Sequence, residues 1–263
     1  MAGRERMRIL VTNDDGFHAA GLQALVKCLE GVGEVWIVAP DRERSGASHS
    51  ITLHTPLRIH RLGERAYTVD GTPSDCVYLA TNHLLRGAPP DLVASGINHG
   101  PNLADDITYS GTVAAALEAT MLGIPAVAIS LCARSRPADF TAAARFAQSL
   151  IAGLERQRLP KGVLLNVNVP EDSDGESYRV TRQGKRAYGR DVVVKTDPRG
   201  RPYYWIGGDE LAHEDLPGSD ANAVNDEATI SVTPLHLDMT HDPTREEMLG
   251  WELPGAVRRG DAR

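Results

Sequence analysis

Between residues 8 and 170 the chain alternates short apolar runs with stretches whose apolar residues recur at helical spacing, and this rhythm narrows the possible folds more than any other feature. Arg8 to Thr12 (RILVT) is a run of β type, and Leu22, Leu25, Val26 and Leu29 then fall on one helical face. Val35 to Ala39 (VWIVA) follows, which makes strand, helix and strand within about 30 residues, the length of a βαβ unit. Thr72-Pro73-Ser74-Asp75 reads as a helix start, with Thr72 at the N-cap and Pro73 at the first helical position. Val77, Leu79, Leu84 and Leu85 continue it. Asp91 to Ser95 is a strand, Thr112 to Leu122 an Ala-rich helix, and Ala126 to Leu131 a strand. Phe140 to Leu154 is an amphipathic helix and Val163 to Val169 a further strand. Alternation of this kind predicts an α/β fold, a doubly wound and largely parallel sheet with helices on both faces.

After Pro170 the pattern changes. Residues 171–222 are rich in Gly, Asp and Arg, with short alternating runs from Asp191 to Lys195 and Tyr203 to Ile206. They predict a small β excursion or hairpin arm. Glu227 to Leu237 predicts a last strand, and residues 252–263 a frayed tail. At 263 residues the chain suits one large α/β domain with an excursion. The expected organisation is a single domain over residues 1–251, with a core at 8–170, an excursion and oligomerisation arm at about 171–250, and a tail at 252–263.

The formal net charge of −7, with no basic stripe, argues against a nucleic-acid polymer as partner. A small anion remains compatible, because a metal supplies local positive charge. The start MAGRERM has no apolar segment behind it and no stretch of 18 apolar residues occurs, so neither a signal peptide nor a membrane span is expected. Cys28, Cys76 and Cys132 form no CxxC and read as buried small hydrophobes in a reducing cytoplasm.

Three segments carry candidate chemistry. Asn13-Asp14-Asp15-Gly16 closes the first strand, and ligands of open α/β sheets bind outside the carboxyl ends of strands. Two adjacent carboxylates repel unless a cation sits between them. In extended backbone they would point to opposite faces, so convergence needs an irregular turn, which Gly16 permits. Hard oxygen ligands suit Mg²⁺, Mn²⁺ or Ca²⁺. The second segment, Ala39 to Thr52 (APDRERSGASHSIT), leaves the second strand at the same sheet edge and is too long for a tight connection. The third, Ser95 to Thr112 (SGINHGPNLADDITYSGT), runs from strand to helix. Asn98, Gly100 and Asn102 alternate amides with glycine, and Ser110-Gly111-Thr112 opens the helix, where exposed backbone N–H groups favour an anion. Each segment taken alone also fits a plain polar turn, a solvated loop or an ordinary N-cap.

His18, His49 and His99 lie in or beside these loops, whereas His54, His60, His83 and His213 have no partner pattern. His236, Asp238 and His241 cluster in LHLDMTH, which alone reads as polarity at a strand end. No HExxH or Cys/His spacing points to zinc. There is no P-loop, no GxGxxG after the first strand and no GxSxG elbow. A DxD-type aspartyl nucleophile would need a residue between the two aspartates, and here they are adjacent.

Taken in order, ILVTNDDGFHAAGLQAL, APDRERSGASHSIT, GTPSDCV, PDLVASGINHGPNLADDITYSGTVAAALEA and LLNVNVP closely resemble the SurE family of stationary-phase survival nucleotidases, densely over residues 8–170 and more weakly to VTPLHLDMT. The resemblance implies a Rossmann-like α/β domain with a protruding β arm and a C-terminal segment swapped between subunits. It implies one divalent ion per subunit (Mg, Mn or Ca) held by Asp14, Asp15, Ser45 and Asn98, with Asp14 and Asp15 catalytic. Phosphate contacts carry over to Asn102, Ser110, Gly111 and Thr112. The implied activity is removal of phosphate from nucleoside 5′- and 3′-monophosphates, with short polyphosphate as a further substrate, in a cytoplasmic homodimer or homotetramer. This chain has Phe17-His18-Ala19-Ala20 where the family varies, which leaves base preference open. A nucleotide-binding module without turnover, and a hydrolase of another ester, stay as alternatives.

Overall fold

The structure is a computed structural model that describes residues 6–187, 192–206 and 212–251. Asp191 and the tail at 252–263 lie outside the described residues. The main sheet has nine strands among those described: β1 (Arg8–Thr12), β2 (Glu34–Pro40), β3 (Ile59–Arg61), β4 (Ala66–Val69), β5 (Leu92–His99), β6 (Ala126–Cys132), β7 (Val163–Pro170), β8 (Tyr178–Val180) and β13 (Ile230–His236). Their order is β3-β4-β2-β1-β5-β6-β7-β13-β8. From β4 through β7 every pairing is parallel; β3 and β13 run antiparallel to their neighbours β4 and β7. The chain builds outward from β1 to β2 on one side, then returns to place β5 on the other. The order therefore reverses between β1 and β5, and a crevice opens at their carboxyl ends.

The period of two along each strand supplies both faces of the sheet. Ile9 and Val11 pack with Leu22, Leu25 and Leu29 of α1 (Ala20–Leu29) and with Phe146, Ala147 and Ile151 of α4 (Thr141–Leu154). Leu10, between them, packs on the opposite side with Val77 of α2 (Pro73–Leu79) and Val113 and Ala116 of α3 (Gly111–Met121). Helix α3 is buried around most of its circumference, which explains its run of small residues: alanine lets the helix lie close to both the sheet and α2. At α2 Thr72 accepts from Asp75 N at 3.1 Å while Asp75 accepts from Thr72 N at 2.9 Å, a capping box with Pro73 just inside it.

Two features depart from the sequence expectation. The strand expected at Asp91 to Ser95 continues to His99, so the SGIN motif lies within β5 rather than in a loop. Gly96 breaks the apolar run that marks the strand, yet it is what lets the strand go on. It holds φ +133° at a bulge between Ser95 and Asn98, where a Cβ would lie 2.2 Å from Ile129 O. Strand β8, three exposed residues too short to show an alternating pattern, joins the main sheet beside β13.

The expected hairpin arm is β10 (Val192–Thr196) paired antiparallel with β11 (Pro202–Ile206), with Val193 opposite Trp205. Asp197-Pro198-Arg199-Gly200 turns between them: Gly200 N donates to Asp197 O at 2.9 Å, with Gly200 at φ +78°. The root of the arm is β9 (Arg186–Ala187) against β12 (Ala212–His213). A π-helical turn at Ala80–Leu84 extends α2, a 3-10 turn at Ala104–Thr108 precedes α3, and two short helices, α5 (Asp220–Asn225) and α6 (Asp242–Met248), lie in the C-terminal part.

Candidate active site

Three connections converge where β1 and β5 end. Asn13, fully buried, donates through Nδ2 to Gly16 O at 3.0 Å and tightens the turn after β1. Gly16 holds φ +96°, and a Cβ there would press on the Arg42 carbonyl carbon at 3.0 Å, so the turn lies directly against the second loop. Asp14 points inward and is only 4% exposed. Its Oδ1 accepts from Thr112 Oγ1, and a Cβ on Gly111 would sit 2.9 Å from its Oδ2. Glycine at 111 is what lets the carboxylate reach the first turn of α3. Burial pushes the Asp14 carboxyl up to about 6; the Thr112 hydroxyl opposes this and the neighbouring Asp15 charge adds to it.

Asp15 faces the other wall. Its Oδ2 accepts from His99 N at 3.1 Å. Burial again raises its pKa, and the His99 N–H and Arg136 pull it down while Glu43 pushes it up. The two side chains thus lean on different elements, α3 and the end of β5, yet remain close enough for Asp15 to raise Asp14.

The second loop is fastened over this pair. Arg44 N donates to Asp14 O at 2.7 Å, Ser48 Oγ to Thr108 O at 2.7 Å, and Thr52 Oγ1 to Asp75 Oδ2 at 2.6 Å; His49 Nε2 lies 3.0 Å from Glu118 Oε2. Ser45 is therefore one residue from the Arg44–Asp14 contact, with its hydroxyl donated to Glu43 at 2.9 Å. Asn98, half-buried beside His99, donates its amide to Gly100 O at 2.9 Å.

The donor set fits a hard divalent cation. Asp14 and Asp15 are both destabilised as anions by burial, and Asp15 raises Asp14, a combination that a bound cation relieves. Asn13 Oδ1, next along the chain, is buried without a hydrogen-bond partner among the described residues. No group of three or more His, Cys, Asp or Glu side chains able to hold a metal occurs among the described residues. Any ion here would rest on two carboxylates and on neutral oxygens such as those of Ser45 and Asn98.

The anion side is equally ordered. Asn102 is buried, its backbone N donates to Asn168 Oδ1 at 2.8 Å, and its carbonyl accepts from Asn166 and Asn168 at 2.8 and 3.0 Å. Its side-chain amide donates to Ser130 Oγ at 2.8 Å, which leaves a second N–H on the same nitrogen. Ser110 Oγ accepts from Val113 N at 3.1 Å as the N-cap of α3. Thr112 gives its hydroxyl proton to Asp14, so it braces the carboxylate rather than standing open to an anion.

Asn166 and Asn168 went unassigned in the sequence. Their signal is legible there: two amides at alternate positions of VLLNVNV share one face of a strand otherwise apolar, and buried amides must be hydrogen-bonded. Glu43 and Arg136, which bear on Asp15, carry no such signal. Of the histidines near the site, His99 contributes its backbone N–H and turns its ring to Ser135 O, 3.0 Å away. His18 is exposed beside Phe17. The distal cluster is local: His241 caps α6 and His236 Nδ1 accepts from Asp238 N at 3.1 Å.

Fold and site together define an α/β protein with two adjacent carboxylates at its topological switch point, one on a helix start and one on the end of β5. A profile of the family described as survival protein SurE matches residues 9–190. Curated relatives named 5′-nucleotidase SurE include those of Myxococcus xanthus, 57% identical over 95% of this chain and 95% of the relative, and of Anaeromyxobacter dehalogenans (strain 2CP-C), 57% identical over 95% and 97%. The crystal structure of the SurE protein from Aquifex aeolicus superimposes with a TM-score of 0.82 at 42% identity, covering 92% of this chain and 98% of that one. The chain belongs to the SurE family. Among its described residues no helix is long and apolar enough to cross a membrane.

Proposed function

We propose that this protein is a divalent-metal-dependent 5′-nucleotidase that hydrolyses the phosphomonoester of nucleoside monophosphates. The observation that carries this is the buried Asp14 carboxylate packed on Gly111 and Thr112 at the start of α3, at the switch point of a SurE-family chain. Asp14, Asp15, Ser45 and Asn98 would hold the ion. When bound, it supplies a Lewis acid for a phosphoryl oxygen and lowers the pKa of a water. The protein does the rest. Asp14 orients the attacking water, kept in place by Thr112. Gly111 N–H, the Ser110 hydroxyl and the second amide proton of Asn102 face the phosphoryl oxygens, where charge spreads in the transition state. A cavity of about 220 Å³ beside Asp15, walled by His99, Arg136 and Phe140, leaves room for the departing nucleoside.

The proposal extends to 3′-monophosphates and short polyphosphate as further substrates. It also takes residues 1–251 as one domain that works in the cytoplasm as a homodimer or homotetramer with its C-terminal segment swapped. The deciding experiment is phosphate release from all nucleoside monophosphates with Mg²⁺, with Mn²⁺ and with chelator. Metal-dependent release, faster than from ATP or a sugar phosphate, is expected. Full activity in chelator overturns the metal; preferred turnover of a sugar phosphate overturns the substrate. Nucleotide bound without release points to a binding module instead.

A further inference from the structure

The connection from β5 to α3 must deliver Asn102 and the Ser110–Thr112 turn to one place. It bends at Ala104, a non-glycine residue at φ +52°. A side chain disfavours this left-handed conformation unless the surroundings hold it. The hold comes from the far end of the chain. Asp220, fully buried at the start of α5, accepts from Ala104 N through Oδ2 at 3.1 Å. Its Oδ1 accepts from Gly184 N and Ala221 N, each at 2.8 Å. Gln183 Nε2 donates to Ala104 O at 3.0 Å, so both polar groups of the bent residue are engaged by the region after β7. Gly184 permits this approach, since a Cβ there would lie 2.8 Å from Asp220 Oδ1. One step along, Arg186 N donates to Asp105 Oδ2 at 3.0 Å and the Arg186 guanidinium pairs with Asp106.

From this geometry we infer that Asp220 is a positioning residue for phosphate binding. It locks the left-handed turn at Ala104 and thereby aims Asn102 and the start of α3 at Asp14. The carboxylate form is required because, among the described residues, the hydrogen bonds of Asp220 all come from donors, three backbone N–H groups. An amide in its place turns an NH₂ toward one of them and releases the turn. The residues assigned to the metal sit on the β1 turn, the 41–52 loop and β5, and among the described residues none of their hydrogen bonds involves Asp220. Phosphate binding and metal binding should therefore respond differently to its loss.

The inference rests on the hydrolytic reading above, and the test separates the two. In Asp220→Asn, kcat on a nucleoside monophosphate should fall roughly 10- to 100-fold, the cost of a misplaced binding group. The inhibition constant for inorganic phosphate, and its calorimetric Kd in Mn²⁺, should rise in parallel. The Mn²⁺ concentration for half-maximal activity should stay within about two-fold, as expected of ligands whose neighbours are unchanged. Adding Ala104→Gly to Asp220→Asn should restore part of kcat, because glycine adopts the left-handed turn without help. If Asp220→Asn fails to fold, Gln183→Ala, at an exposed position, reports the same signature at smaller amplitude. Unchanged kcat and phosphate affinity, or Mn²⁺ affinity lost in step with kcat, overturns the positioning role. An unmodified protein that releases no phosphate overturns the hydrolytic reading instead, and the phosphate titration still decides the role of Asp220.

Discussion

The site at the ends of β1 and β5, and the hairpin arm with α6, invert the usual rule of inside and outside in opposite ways. In the first, polar side chains are buried: Asp14, Asn102, Thr112, Ser130, Asn166 and Asn168 all lie beneath the surface and most bond to one another. In the second, apolar side chains are exposed: Val194 at 58%, Trp205 at 62%, Leu249 at 74%. Helix α6 has no buried residue at all, and a seven-residue helix is not stable by itself in water. Buried polar groups cost free energy unless they are hydrogen-bonded, and exposed aromatic strands suit a partner surface. In the reading proposed above, one segment holds a ligand and the other meets another chain, with Asp220 and Arg186 joining them.

The sharpest test of the first segment is Asp14→Asn, which should lower phosphate release by three orders of magnitude or more, about 4 kcal/mol of transition-state stabilisation. The same change should stabilise the protein in chelator. The Asp14 carboxyl is raised to about 6 in the folded protein, above its ordinary 3.8, so the folded state binds the proton more tightly. Its contribution is fully present at low pH and is lost as pH rises through about 6. Melts of the metal-free protein should show Asp14→Asn ahead of the unmodified chain at pH 8 by on the order of 3 kcal/mol, with the gap closing below pH 4. A variant that keeps most of its activity, or melts lower at pH 8, breaks the picture of a buried ligand carboxylate.

On the other segment, Trp205→Glu places a charge on the exposed hairpin face. It should weaken self-association at least roughly ten-fold, as loss of one aromatic anchor at an interface does. Sedimentation at micromolar concentration checks this, with turnover per chain as a control. An unmodified protein that is already monomeric removes the proposed role of the arm.

Smaller effects separate positions within the site. Asn168→Ala withdraws the acceptor for Asn102 N and one donor to Asn102 O, and should cost about 1–3 kcal/mol of stability together with a fall in kcat. Chemical denaturation beside kinetics reads both. Ser45→Ala should be mildest, about 1 kcal/mol or roughly five-fold in activity at limiting Mn²⁺, because water can replace a neutral oxygen. Saturating Mn²⁺ should restore it; failure to recover would give Ser45 a role beyond holding an ion.

Local patterns in the chain determined most of the fold. The strands at Arg8–Thr12, Glu34–Pro40, Ala126–Cys132 and Val163–Pro170, and the Thr72-Pro73 helix start, follow from periodicity and capping alone, because both depend on residues within a few positions of each other. The three loops that meet at the site were legible too, since each follows the carboxyl end of a strand. Tertiary structure decided the rest. It continued β5 through Gly96, because a bulge is set by the neighbouring Ile129 carbonyl and not by the local sequence. It turned the Thr112 hydroxyl onto Asp14 and brought Asp220 to Ala104 across 116 positions of chain. A carboxylate at position 220 carries no mark of its partner. Which N–H groups it will meet depends on how the sheet closes around it, and that geometry exists only once the chain has folded.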